Sequence, residues 1–105
     1  MTVTPQELGS RIRRSRKLAV LTLREVSEQL AKNYDMLLTH TSLGRIERGE
    51  QKPNLGVLAA LAQTYDSCIP RWFGLNSGPE HPQEVARTIV SAQRMLNSMY
   101  DDHPD

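Results

Sequence analysis

The chain has 105 residues, of which 38% are hydrophobic and 24% are charged, and its formal net charge is +1. This size and composition predict one small folded domain with room for a short appendage. No apolar run approaches the roughly 20 residues that a membrane span needs, and no signal-peptide core is visible, which predicts a cytoplasmic protein. The lone Cys68 excludes an intramolecular disulfide and a cysteine-cluster metal site.

Basic and acidic side chains are unevenly distributed along the chain. Residues 7–17 carry five basic side chains and one acidic side chain, whereas residues 80–105 carry two basic and five acidic side chains. The net charge alone indicates nothing about nucleic acid. A basic front and an acidic tail are, however, typical of a protein with one anion-binding face.

The first predicted helix spans residues 5–18. Thr4 is its expected N-cap, and Pro5 suits the first helical position, where a missing N–H costs nothing. Leu8 and Ile12 face inward. Arginines cover the rest of the helix, which is either an anion-binding face or an ordinary solvated one.

The second predicted helix opens with a capping box, in which the Thr22 hydroxyl and the Glu25 carboxylate satisfy each other's backbone N–H groups. It should end near residues 32–33, where an asparagine tolerates a left-handed conformation. Residues 34–38 are too apolar for a surface loop, so we expect an ordered connection in which residues 36–38 partly contact the core. The inward stripe of the helix consists of Leu23, Val26 and Leu30.

The third predicted helix covers residues 39–49 and has a mostly polar surface. Thr39 or Thr41 can cap its start, and its apolar stripe is only two residues wide, Leu43 and Ile46. A helix this polar is poorly explained as a core element and is typical of one laid against a hydrogen-bonding surface. The major groove of DNA is the leading candidate. The remaining helix positions are His40, Thr41, Ser42, Gly44, Arg45 and Arg48, followed by Gly49 as a left-handed cap.

Two further helices complete the predicted domain. The fourth begins with Asn54 as N-cap and shows helical spacing of apolar residues up to Tyr65. A short fifth helix over residues 70–75 carries Trp72 and Phe73. We expect these two aromatic side chains to close the core and not to form a binding platform.

A composition change at residues 76–79 predicts a hinge, after which residues 80–105 form a C-terminal segment with a helix from residue 82 to residue 100. Its apolar residues have the spacing of a short coiled-coil seam. The seam can fold back onto its own domain or pair with the same helix of a second chain. The hinge and the clean stripe favour pairing, hence a homodimer. The seam consists of Val85, Ile89, Ala92, Leu96 and Met99.

Three segments resemble the helix-turn-helix domain of the lambda-type phage repressors, the Xre family: LREVSEQL, TSLGRIERG and PNLGVLAALAQTY. The match spans about residues 7–75, and the RIERG segment is its most specific part. The resemblance implies an all-α fold with a five-helix DNA-binding domain over residues 1–75. It also implies a bacterial or phage protein, usually dimeric, that reads operators with its third helix.

The same resemblance implies roles for individual residues. Arg45 has the best chemistry for reading a base, because a guanidinium can make two hydrogen bonds to guanine O6 and N7. Glu47 would form a structural ion pair with Arg16 of the first helix. The implied base-contacting residues are His40, Thr41, Ser42, Gly44 and Arg45. The implied phosphate-contacting residues are Arg13, Arg14, Arg24, Arg48, Lys52 and Asn54.

Three features depart from the family pattern. Leu23 stands where the family usually has a glutamine that helps to position DNA. Ser15 occupies a usually apolar position of the first helix. The connection at residues 31–38 is longer than the usual tight turn and leaves open the angle at which the third helix is presented.

Other chemistries have little support in the sequence. His40, His81 and His103 are scattered without neighbouring ligands, so we expect no metal or other cofactor, and no nucleophile–base arrangement indicates an enzyme. The sequence therefore predicts a DNA-binding transcriptional regulator, a dimeric repressor associated with the nucleoid. The alternative is an antitoxin-like module that holds a partner protein through residues 79–105. A third interpretation is a mimic of the DNA-binding fold that sequesters a host factor.

Overall fold

The computed structural model of the protein describes residues 3–74 and the helix at residues 82–100, with side chains described from residue 90 onward in that helix. Helices make up all the regular secondary structure in these residues, which confirms the predicted all-α fold. They are α1 (Pro5–Leu18), α2 (Leu23–Tyr34), α3 (His40–Arg48), α4 (Leu55–Thr64), α5 (Ile69–Trp72) and α6 (Pro82–Tyr100).

Capping boxes start both N-terminal helices. In α1, the Glu7 N–H donates to Thr4 Oγ1 at 3.1 Å and the Thr4 N–H donates to Glu7 Oε1 at 3.2 Å. In α2, the Glu25 N–H donates to Thr22 Oγ1 at 3.1 Å and the Thr22 N–H donates to Glu25 Oε1 at 2.9 Å. Each pair satisfies N–H groups that the start of a helix leaves without a partner. Both predicted starts are therefore confirmed.

The end of α2 lies at Tyr34 and not at residues 32–33. Asp35 takes the left-handed conformation, with φ of 51°, that we expected two residues earlier. Aspartate, like asparagine, visits this region at low cost. The Tyr34 hydroxyl donates to Gln63 Oε1 of α4 at 3.0 Å, which ties the end of α2 to the domain.

Residues 35–39 connect α2 to α3 in an ordered loop. Met36 and Leu38 pack against the core as predicted, but Leu37 is 91% exposed, so the prediction was wrong for this residue. Alternation of packed and exposed side chains is typical of an extended segment, in which successive side chains point to opposite sides. Ser27 Oγ donates to the Leu38 carbonyl oxygen at 2.6 Å and fixes the loop on α2.

Close backbone contact with α1 and packing on α2 hold α3 in place. Gly9 of α1 lies so near the carbonyl oxygens of Ile46 and Glu47 that a Cβ at this position would overlap them. Leu43 and Ile46 form the predicted buried stripe. Gly49 ends the helix with φ of 80°, the left-handed cap expected from the sequence. The opposite face of α3 is therefore left outward.

Two aromatic residues, Trp72 and Phe73, close the core, as expected. The Trp72 indole N–H donates to Ser15 Oγ at 2.9 Å, and its ring meets Tyr65 edge-on with centroids 6.4 Å apart. Ser15 therefore supplies the acceptor that a buried indole needs, which explains a polar residue at this position of α1. The expected helix over residues 70–75 is shorter, because α5 ends at Trp72.

The C-terminal helix α6 packs against its own domain. Ala92 and Leu96 are fully buried, and Met99 is nearly so, within the same core cluster as Trp72. For these three residues the fold-back alternative is the observed arrangement, and the predicted dimer seam is corrected. An apolar stripe on a helix indicates that another surface packs on it, and here that surface belongs to the chain's own domain. Val85 and Ile89 belong to the part of α6 whose side chains are not described, and the predicted hinge at residues 76–79 lies outside the described residues.

Candidate nucleic-acid interface

The outward face of α3 begins at a well-formed cap. Thr39 Oγ1 accepts a hydrogen bond from the Ser42 N–H at 3.1 Å, so Thr39 is the N-cap and Thr41 is not. The Ser42 hydroxyl is half-buried and lies 3.2 Å from the same oxygen. His40, Thr41 and Arg45 are exposed. Three of the predicted base-contacting side chains are therefore accessible to a partner.

Gly44 does not share this surface, because it is buried. A Cβ at Gly44 would lie 3.6 Å from Leu23 Cδ1 and 3.2 Å from Arg48 Nη1. The Leu23 side chain, at the first position of α2, and the Arg48 guanidinium therefore cover it. The predicted base contact of Gly44 was wrong, since spacing around α3 alone cannot show that α2 reaches over this position.

Arg16 and Glu47 join α1 to α3 as the resemblance implied. Arg16 Nε donates to Glu47 Oε2 at 2.7 Å and Nη2 donates to Oε1 at 3.0 Å, while Nη1 donates to the Leu21 carbonyl oxygen at 2.8 Å. The two side chains are only 11% and 7% exposed. The hydrogen bond to Glu47 raises the pKa of Arg16. A forked, hydrogen-bonded pair of this kind fixes geometry as well as charge.

A groove of about 280 Å³ runs between α1, the start of α2 and α3. It brings together Arg13 and Arg48, two predicted phosphate contacts, and both are exposed. Arg48 Nε lies 3.2 Å from Glu50 Oε2, but an exposed pair of this kind is weak and leaves the guanidinium able to exchange partners. The groove is lined by Arg13, Arg16, Leu23, Gly44, Glu47 and Arg48.

Lys52 and Asn54 precede α4. Asn54 Oδ1 accepts a hydrogen bond from the Val57 N–H at 2.8 Å, so its oxygen is committed to capping the helix, as predicted. Lys52 Nζ donates to Asn97 Oδ1 of α6 at 2.8 Å. An ammonium group has three donors, so this bond leaves two for a phosphate. No pattern in the sequence indicates that α6 would reach this lysine.

Arg14 lies apart from the other predicted phosphate contacts. Consecutive residues of a helix are rotated by about 100°. Arg13 therefore lines the groove beside α3, whereas Arg14 lines a different cleft, between α1 and α5. Arg24, at the second position of α2, is exposed. The structure thus does not bring the six predicted phosphate contacts onto one surface.

Comparison with protein-family models gives a match to one described as a helix-turn-helix domain, over residues 7–67, which is more than half of the chain. The chain belongs to the helix-turn-helix domain family. No curated protein and no solved structure matches the chain significantly. In this helix-turn-helix domain, α2 and α3 are the two helices of the motif and residues 35–39 join them. The family and the exposed polar face of α3 together indicate a DNA-binding protein.

Membrane spans and metal-ion sites are both absent from the described part of the helix-turn-helix protein. None of its described helices combines the length and the apolar character needed to cross a membrane. Within the same residues, no group of three His, Cys, Asp or Glu side chains is placed to hold a metal ion. His40 is exposed on α3, and His81 and His103 lie outside the described residues.

Proposed function

We propose that the protein is a sequence-specific DNA-binding transcriptional regulator that inserts α3 into the major groove. The observation that carries this proposal is the outward face of α3, where His40, Thr41 and Arg45 are exposed on a helix held by backbone contact with Gly9. An α-helix fits the major groove, in which every base pair presents a distinct hydrogen-bonding pattern. A firmly seated helix supports the proposal, because base contacts need well-defined geometry.

The side chains on the outward face of α3 suit different contacts, according to their position along the helix. His40 and Thr41 stand at the N-terminal end of α3, the end that usually contacts base edges in this motif. Arg45 lies one turn further on and can bind guanine O6 and N7 with two hydrogen bonds. Ser42 is tied to the N-cap and suits a supporting contact more than a base contact.

Phosphate contacts would supply most of the affinity and fix the orientation on the duplex. The residues best placed for phosphate contacts lie beside α3, at the start of α2 or just before α4. Their number is lower than the sequence suggested, because Arg14 lies elsewhere and the Asn54 oxygen caps α4. The proposed set is Arg13, Arg24, Arg48 and Lys52.

We further propose that the protein represses transcription by occluding a promoter, and that two protomers bind adjacent half-sites. Half-sites of a helix-turn-helix dimer lie about one helical turn of DNA apart, roughly 34 Å. The dimer would have to use a surface other than Ala92, Leu96 and Met99, since these side chains are buried within one chain.

Selection of bound duplexes from random DNA, combined with light scattering on the resulting complex, tests the proposal. We expect one enriched sequence, and a palindrome with the mass of two protomers if a dimer binds. Enrichment with a single protomer bound would overturn the dimer alone. No enriched sequence would overturn sequence-specific binding, and a partner protein that then co-purified would favour the antitoxin-like alternative.

A further inference from the structure

A second basic surface lies on the side of α1 that faces away from α3. Gly9 marks the face of α1 that contacts α3. On the opposite face, α1 and α5 enclose an open cleft of about 390 Å³. This volume lies within the range of protein binding sites, and no role in the proposed DNA contact requires it. The cleft is lined by Arg11, Arg14, Ser15, Leu18, Arg71 and Trp72.

Hydrogen bonds between its own walls give the cleft a defined shape. The Trp72 indole N–H donates to Ser15 Oγ at 2.9 Å, and Arg11 Nη1 donates to the Trp72 carbonyl oxygen at 2.9 Å. These two bonds connect α1 to α5 across the base of the cleft. A partner would therefore meet a preformed surface, which reduces the cost of ordering it on binding.

Positive charge predominates among the residues that line the cleft. Arg11 has Glu7 Oε2 at 3.7 Å, an exposed and loose pair. For Arg14 and Arg71, no carboxylate lies within 4.0 Å among the described residues, and Arg14 and Arg71 are both exposed. Guanidinium groups are suited to binding carboxylates or phosphates through two parallel hydrogen bonds. The cleft therefore fits a partner with clustered negative charge.

An exposed aliphatic side chain in the wall of the cleft favours a protein partner over DNA. Leu18, which lines the cleft, is 77% exposed. A sugar–phosphate backbone gains little from an aliphatic side chain, whereas a peptide with its own aliphatic residue can bury it.

We propose that this cleft binds an acidic peptide segment of a partner protein. Its carboxylates pair with Arg14 and Arg71, and an aliphatic side chain of the segment packs on Leu18. The interaction is separate from DNA binding by α3, so the protein can hold DNA and the partner together.

Trp72 makes the proposal measurable, because it is the single tryptophan of the chain and forms part of the cleft wall. The probe is a short blocked peptide of glutamates and leucines, added to the full chain while the Trp72 fluorescence and indole N–H resonance are followed. We expect a saturable change. Two control peptides replace each glutamate by glutamine, or each leucine by serine, and each should bind about tenfold more weakly or worse.

Matched charge reversals separate this surface from the DNA-binding one. Arg14→Glu and Arg71→Glu should each weaken peptide binding about tenfold and leave affinity for a DNA duplex unchanged, whereas Arg24→Glu should do the reverse. Because these side chains are exposed, the variants should fold, which a thermal melt checks. Equal binding of the glutamate and glutamine peptides would overturn the proposal. Loss of DNA affinity in Arg14→Glu and Arg71→Glu would also overturn it and assign the cleft to phosphates.

Discussion

Arg45 is the residue whose chemistry most directly decides whether α3 reads sequence. Arg45→Ala should cost roughly 1–3 kcal/mol on the selected site and less on random DNA, because only the cognate site offers a guanine in register. Competition binding with both duplexes measures the difference. Arg24→Ala is the control, since loss of a phosphate contact should weaken both duplexes alike. Equal losses for Arg45→Ala would make it a phosphate contact.

The Arg16–Glu47 pair gives a prediction about stability. Glu47→Ala strands the Arg16 guanidinium, which is 11% exposed, and should lower the free energy of unfolding by about 3 kcal/mol. Glu50→Ala breaks the exposed pair with Arg48 and should cost about 0.5 kcal/mol or less. Urea denaturation of both variants makes the comparison. Similar midpoints would contradict a structural role for Glu47.

Val20 offers the opposite kind of test, a gain in stability. With φ of 58° and 84% of its side chain exposed, it bears a backbone cost and contributes little packing. Val20→Gly should raise the free energy of unfolding by about 1 kcal/mol. Val20→Ala keeps a Cβ and should gain less, which makes it the matched control. A destabilised glycine variant would show that Val20 makes contacts that offset its strain.

For single residues, the interactions that could be predicted are those between close neighbours in the sequence. Thr4, Thr22 and Asn54 cap their helices as expected, because a capping oxygen and the backbone N–H that donates to it lie three residues apart. Gly44 was assigned wrongly because Leu23, one of the two residues that cover it, comes from another helix. Ser15 departs from the apolar residue usual at its position, and only the structure shows that the Trp72 indole donates a hydrogen bond to it.

The element whose role the structure changed is α6. Leu96 is 0% exposed within one chain, so Leu96→Ala should lower the free energy of unfolding by about 3 kcal/mol at every protein concentration. Val90→Ala, at an exposed position of the same helix, should change it little. Thermal melts over a dilution series test this. A concentration-dependent effect would indicate that Leu96 also contacts a second chain.

The bounds of α6 were predicted well, but the surface on which it packs was not. The pattern of apolar residues located α6 over Pro82–Tyr100, because amphipathic periodicity is a property of the segment itself. Which surface packs on the apolar stripe of a helix depends on the apolar surfaces that the other helices of the fold leave exposed. Likewise, the sequence showed a long connection between α2 and α3, but only the structure shows that α2 continues to Tyr34, that Asp35 caps it and that Ser27 ties down the loop.

For the molecule as a whole, the proposed DNA contact predicts a steep salt dependence. A protomer that neutralises about four phosphates should give a log–log slope of affinity against salt of about −3.6, and a dimer about −7. Fluorescence anisotropy over a salt series measures it. Removing Arg13 or Lys52 should make the slope shallower by about one unit per protomer. A slope near zero would argue against phosphate binding altogether.

The backbone contact at Gly9 has a consequence for how the molecule opens. α3 cannot separate from α1 by a small outward movement of side chains, since the contact joins the main chains themselves. The amides of α3 should therefore exchange with solvent only when the whole domain unfolds, unlike those of a loosely attached helix. Hydrogen exchange under native conditions would then place α3 and α1 in one cooperative unit, and the protein would meet DNA with its recognition helix already in position.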